Sequence, residues 1–189
     1  MFVPKKDSKR RIVQDYQYVN KFTVKNSYPL LLISDLVDNM GTKRVFTKMD
    51  LRWGYNNIRT KESDEWKAVF TRHVGSFEPV VMFFGLTNSP ATFQTMMNNI
   101  FRDLKEDVAT FIDDMLVGTE MEKGHDKLVE EILRRLKDHD LYIKPEKCEW
   151  KVWEERFLGV VIGPDRIKME KEKVRNMLEW PTPRCVKDI

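Results

Sequence analysis

The sequence predicts an α+β domain, with helices packed on one face of an antiparallel sheet. Two observations carry the prediction, and both are periodicities. Phe93, Met96, Met97, Ile100, Phe101 and Leu104 recur at helical spacing, as do Leu128, Val129, Ile132, Leu133 and Leu136, the latter flanked by mixed charges. Short β-prone runs lie before, between and after these stripes, and no internal repeat or low-complexity tract is present.

The elements follow in chain order. Residues 1–22 alternate basic and β-prone side chains and predict an extended segment. Tyr28-Pro29 stops any helix there. Ser34–Met40 predicts a short helix ending at Gly41, a glycine suited to a left-handed cap. Arg44–Leu51 predicts a strand with a carboxylate near its end. Residues 66–74 and 77–84 predict a hairpin turning at Gly75-Ser76. Asn88 or Thr87 can cap the first striped helix, and Pro90 fits its first turn. Val108–Ile112 and Met115–Val117 predict two apolar strands, as do Leu141–Ile143 and Phe157–Ile162. Gly163-Pro164-Asp165 turns the chain into Arg166–Met169. A charged helix over 170–180 then ends at Trp180-Pro181-Thr182-Pro183, a linker signature.

Composition limits the function classes. The chain has 189 residues and a formal net charge of +3, enough for one sizeable core or two small ones. Its longest apolar stretch, Val80–Phe84, is far shorter than the roughly 20 residues of a membrane span. Two cysteines, Cys148 and Cys185, supply neither a disulfide framework nor a zinc site, and His73, His125 and His139 show no ligand spacing with them. A reduced, intracellular chain is expected. The positive charge concentrates at the start, where Lys5, Lys6, Lys9, Arg10 and Arg11 face only Asp7.

Asp113-Asp114 stands between two apolar runs, where aspartate is disfavoured and like charges repel. On local pattern alone, a hairpin tip pointing into water accounts for the pair. A third carboxylate, Asp50, near the end of another strand of the same core, offers a second account. Three hard oxygen donors on one sheet would hold Mg²⁺, and two such ions stabilise the attacking and leaving oxygens of an in-line displacement.

The motifs resemble those of a known family. Thr110-Phe111-Ile112-Asp113-Asp114 is similar to the aromatic-x-Asp-Asp motif of reverse transcriptases, and Lys48–Tyr55 to their first catalytic motif. Phe84–Gln94 resembles the segment that contacts nucleotide and template. With Phe2-Val3-Pro4-Lys5-Lys6 and Phe157-Leu158-Gly159, the set is similar to gypsy-class LTR retrotransposon polymerases over nearly the whole chain.

The resemblance implies a right-hand polymerase, with fingers mainly in 1–45 and 60–85, palm in the rest of 1–180, and no thumb. It implies an RNA-directed DNA polymerase in which a primer 3′-hydroxyl attacks the α-phosphorus of a dNTP. Asp50 and Asp113 would be the main catalytic ligands of two Mg²⁺ ions and Asp114 the less direct third, with Mn²⁺ as a substitute. For dNTP binding it implies Lys5 or Lys6, Arg11, the aromatic gate Tyr55, and the pocket pair Phe84 and Gly85. Gln17, Asn88, Pro90 and Gln94 would meet primer or template, Leu158 and Gly159 would form the turn that holds the primer end, and Lys147 would protonate pyrophosphate.

This chain departs from the family pattern at several positions. Phe111 replaces a tyrosine, Phe83 a proline, Gln17 an arginine, and Trp53 and Asn56 a small residue and a histidine. The resemblance also implies partners: an RNA or DNA template with primer, dNTPs, and the remaining thumb, connection, RNase H and integrase parts of a Pol polyprotein. Residues 181–189 would open the linker to the thumb, and no membrane is involved. Without a thumb the chain is expected to hold primer-template weakly, and an inactive remnant that at most binds nucleic acid is the alternative expectation.

Overall fold

The computed structural model describes residues 2–4, 10–28, 32–164 and 166–180. Strand β1 (Phe2–Pro4) pairs antiparallel with β2 (Arg10–Ile12), as the extended reading of the start requires. Helix α1 (Gln17–Phe22) is then a departure from that reading. Asp15 starts it by accepting the Gln17 N–H at 2.9 Å, a local side-chain bond that outweighs the β-propensity of Tyr18 and Val19.

Helix α2 (Ile33–Met40) ends at Gly41 as predicted. Gly41 has φ −62°, so the expected left-handed cap is not formed; its N–H bonds to the Asp38 carbonyl within a continuing right-handed turn. Strand β3 (Val45–Asp50) follows, then two short 3₁₀ turns at Gly54–Asn57 and Glu65–Ala68. The predicted hairpin is β4 (Phe70–Arg72) with β5 (Gly75–Phe77), but Arg72 pairs with Gly75, so the turn is His73-Val74 and not Gly75-Ser76. Phe70 stacking on Phe77 sets that register.

Helix α3 (Ser89–Ile100) carries the first stripe, with Leu104 beyond its end on a 3₁₀ turn. Strands β6 (Val108–Phe111) and β7 (Asp114–Thr119) and helix α4 (His125–Asp138) follow. Leu141–Ile143 makes only an isolated bridge, Ile143 to Leu51, in place of the predicted strand. The chain continues through β8 (Glu149–Val152), β9 (Glu155–Phe157), β10 (Val160–Gly163), β11 (Arg166–Met169) and α5 (Lys171–Leu178). The single run over Phe157–Ile162 is thus two strands. Leu158 and Gly159, both at positive φ, make the two-residue turn between them.

The central antiparallel sheet has the order β6-β7-β3-β8, and β9, β10 and β11 form a second, three-stranded sheet. Strand parity assigns its two faces. Met49, Met115 and Val117 join Phe93 and Met97 of α3 and Ile132 and Leu136 of α4 in one cluster. Phe46, Ala109 and Leu116 join Leu36, Val37 and Met40 of α2 with Phe157 and Ile162 in the other. The prediction of helices on one face therefore gives way to a sheet covered on both. α2 was read as a helix but its partner face was not legible.

His125, at the start of α4, is fully buried between β3 and β7. Its Nδ1 lies 2.9 Å from the Thr119 hydroxyl and its Nε2 2.8 Å from the Thr47 hydroxyl. Thr119 donates its proton to the Met121 carbonyl and Thr47 accepts the Lys151 N–H. Only a neutral imidazole protonated on Nδ1 satisfies all four groups. Burial holds the His125 pKa below its ordinary value, with Asp126 opposing and Lys151 assisting.

Candidate active site

Asp50 ends β3 and Asp114 begins β7, and the two are direct register partners. Side chains opposed in this way have Cβ atoms about 4.5–5.5 Å apart. Asp113 sits in the two-residue turn closed by the Phe111–Asp114 pair, and its carbonyl accepts the Leu51 N–H at 2.8 Å. Ile112, the other turn residue, has φ +56° although it is β-branched. A backbone held there is strained and persists only where its surroundings impose it. Gln94 of α3 contributes to that: its Oε1 accepts the Ile112 N–H, and its Nε2 donates to the Thr110 carbonyl and hydroxyl at 3.0 Å each.

Asp50 and Asp114 share the sheet face of Lys48, while Asp113 Oδ1 packs against Gly54 and Asp113 lies near enough to Tyr55 to act on its phenol. A Cβ on Gly54 would fall 2.2 Å from Asp113 Oδ1 and 3.0 Å from the Phe93 ring, so this approach depends on glycine. Among the described residues, no three His, Cys, Asp or Glu side chains are gathered as a ready-formed metal cage.

Lysines neutralise the Asp50–Asp114 face. Lys144 Nζ bonds to Asp50 Oδ1 and to the Leu51 carbonyl, and Lys147 Nζ reaches Asp50 Oδ2 at 3.3 Å. Lys48 lies on the same face and ties down β9 through Glu155 at 3.3 Å and the Arg156 carbonyl at 2.7 Å. Burial pushes the Asp114 carboxyl above its usual range; Asp50 adds to this and Lys48, Lys147 and Lys144 oppose it. Neither Lys48 nor Lys144 was singled out from sequence. Strand parity placed Lys48 on the face of Asp50, but no local pattern ties Lys144 to a residue so far away.

On the Asp113 side, Tyr55 is buried in an aromatic cluster, with ring centroids 4.8 Å from Phe84 and 5.7 Å from Phe93. Burial, then the Asp113 charge, push its phenol up to about 12. Gly85 is exposed with φ +104°, and a Cβ there would come 3.1 Å from the Gln14 carbonyl. Tyr55, Phe84 and Gly85 thus form one continuous wall. Trp53, at φ +55°, stands exposed at the lip with the Arg52 guanidinium 5.2 Å over its ring.

The remaining sites divide. Gln17 is exposed on α1, and Pro90 is in the first turn of α3. Asn88 makes no cap bond; its amide instead ties the Val24 carbonyl and the Asn26 N–H, both at 2.9 Å, to the start of α3. Gln94 is 1% exposed with its amide committed to Thr110, Asn98 and Ile112, which makes it a brace rather than a contact surface for template. Leu158 and Gly159 occupy the β9–β10 turn. Lys5, Lys6 and residues 181–189 lie outside the described residues, as does the side chain of Arg11.

The donor set suits a hard divalent cation. It consists of carboxylate oxygens, two of them side by side on a partly buried face where basic side chains offset the charge.

Comparisons with known proteins agree with the motifs. The family model described as "Reverse transcriptase (RNA-dependent DNA polymerase)" matches residues 3–162. The transposon Tf2-3 and Tf2-7 polyproteins of Schizosaccharomyces pombe are each 36% identical over 190 residues, covering 100% of this chain and 14% of the relative. The chain therefore spans about one seventh of the length of these curated relatives. Among solved structures, a foamy viral protease-reverse transcriptase with double-stranded DNA superposes with a TM-score of 0.92 at 23% identity, over 99% of this chain and 33% of that one. The same viral protein with an RNA/DNA hybrid gives 0.86 at 22%, over 99% and 25%. At that identity the likeness concerns the fold, and here it extends over almost every residue. No described helix is long and apolar enough to cross a membrane.

Proposed function

The chain belongs to the reverse transcriptase family, and from this premise we propose that it forms the fingers and palm of an RNA-directed DNA polymerase within a retrotransposon polyprotein. The observation that carries the reading is the pairing of Asp50 with Asp114 across β3 and β7, with Asp113 in the adjoining turn tied to Leu51.

In this reading the reaction joins a primer 3′-hydroxyl to the α-phosphorus of a dNTP, breaks the α–β phosphoanhydride bond and releases pyrophosphate. Asp50, Asp113 and Asp114 would hold Mg²⁺, which supplies Lewis-acid stabilisation of the oxygens that gain charge. The protein's own share is positioning and charge neutralisation. Tyr55, packed between Phe84 and Phe93, presents a rigid edge under the sugar that excludes a 2′-hydroxyl. Gly85 lets the nucleotide approach the backbone. Lys147, 3.3 Å from Asp50 Oδ2, would protonate the leaving pyrophosphate, and Arg11 with Lys5 or Lys6 would grip the triphosphate. Gln17, Asn88, Pro90, Leu158 and Gly159 would line the path of primer and template.

The test is primer extension on an RNA template with Mg²⁺ or Mn²⁺, using this chain alone and joined to the following segment of a Tf2 relative. Extension by the joined protein, absent in Asp113→Asn, is expected. Equal extension by Asp113→Asn, or none by either parent, would overturn the reading.

A further inference from the structure

We propose that Lys144 is a built-in cation that occupies Asp50 until a divalent ion displaces it. The proposal rests on the reading of Asp50 as a metal ligand and adds a residue to which the reaction itself assigns no part.

Lys144 is placed by its backbone first. Its N–H bonds to the Asp50 carbonyl at 2.8 Å, and the neighbouring residues Tyr142 and Ile143 pair with Arg52 and Leu51, so the segment runs alongside the end of β3. The Cys148 thiol donates to the Lys144 carbonyl at 3.2 Å, fixing the other side. From this anchor the side chain folds back to set its ammonium between Asp50 Oδ1 and the Leu51 carbonyl. A carboxylate and a carbonyl oxygen are also the donors a hard cation seeks.

The other two lysines are held differently. Lys147 approaches Oδ2 from a side chain that is 52% exposed, against 25% for Lys144. Lys48 is engaged by Glu155 and the Arg156 carbonyl. Lys144 is therefore the less exposed of the two cations on Asp50 and the one that occupies Oδ1. Lys144 and Lys147 together offset the Asp50 charge in the metal-free protein. A divalent ion that takes Oδ1 must first move the ammonium away, which the flexible four-carbon stem permits. Its apparent affinity is lowered by the free energy of that contact.

Mn²⁺ binding, read from the electron paramagnetic resonance of the free ion and by competition with Mg²⁺, tests the idea on the folded chain without catalysis. Lys144→Met should bind the ion about fivefold more tightly, the value expected for one partly exposed ion pair. Lys144→Arg should bind no more tightly than the parent, and Asp50→Asn should lose binding. Affinity in Lys144→Met that is unchanged or weaker overturns the proposal. A second measurement needs only the parent chain, with Lys144→Arg to assign the signal. The Lys144 ammonium resonance should be protected from exchange in the metal-free protein and lose that protection when Mg²⁺ saturates; protection that persists overturns the proposal. A parent that binds no ion defeats the metal reading together with this one. A parent that binds where Asp50→Asn does not, with no gain in Lys144→Met, defeats the displacement alone.

Discussion

The two ends of the β3–β7 ladder use the same backbone pairing for opposite purposes. At the end that begins with Val45 and Thr119, Thr47 and Thr119 grip a neutral His125, and apolar side chains fill both faces. At the other end, five residues along each strand, Asp50 faces Asp114 and lysines offset their charge. Strain is collected there as well, since Trp53 and Ile112 both have positive φ within a few residues of the carboxylates. The first end follows local preferences and serves the fold, whereas the second violates several of them, as strained functional sites do.

Substitutions should keep these two ends apart. The largest effect is expected at the charged end: Asp50→Asn should reduce primer extension by about 10²–10³-fold, the cost of removing one group that stabilises developing charge, with little loss of thermal stability. Extension reduced only in proportion to a lowered melting temperature would merge the two ends. Next, His125→Ala should cost about 2–5 kcal/mol in urea unfolding, because it opens a cavity and strands the Thr47 and Thr119 hydroxyls. Divalent-ion binding by the fraction that remains folded should be unaffected.

The pH response should differ in sign. The folded His125 pKa lies below the unfolded value of about 6.5, so the folded state binds fewer protons than the unfolded one. The stability that it contributes is complete above that pH and falls as the solution is acidified through it. Urea midpoints should decline from pH 7 to pH 5 in the parent and decline less in His125→Gln. Asp114 runs the other way: its raised carboxyl pKa means that the folded state gains from protonation. The smallest effect follows from this. Asp114→Asn should raise the urea midpoint slightly at pH 7, and the gain should shrink as acid protonates the parent's own carboxyl.

Much of this was legible in the sequence, for physical reasons that differ by element. The stripes from Phe93 and from Leu128 appear as helices because burial repeats at the helical period. Asp113 and Asp114 stand out because carboxylates are out of place among apolar runs, and Asp50 because it adds a third near the end of another strand. Their orientation was not legible. Ile112 at positive φ turns Asp113 to the Gly54 side, and no propensity of isoleucine announces that. By local pattern Leu158-Gly159 lies inside an apolar run and reads as strand; the resemblance, not propensity, marks it as a turn, and the structure forms one there. His125 showed no ligand spacing because its partners are two threonines on neighbouring strands.

Gln94 links these regions through a single carboxamide. Helix α3 begins at Ser89, just after the Phe84-Gly85 wall, and through Gln94 it holds the backbone beneath Asp113. One buried carboxamide thus sets how far the acidic bend stands from the aromatic wall, and the spacing between the two is fixed by the length of helix from Ser89 to Gln94.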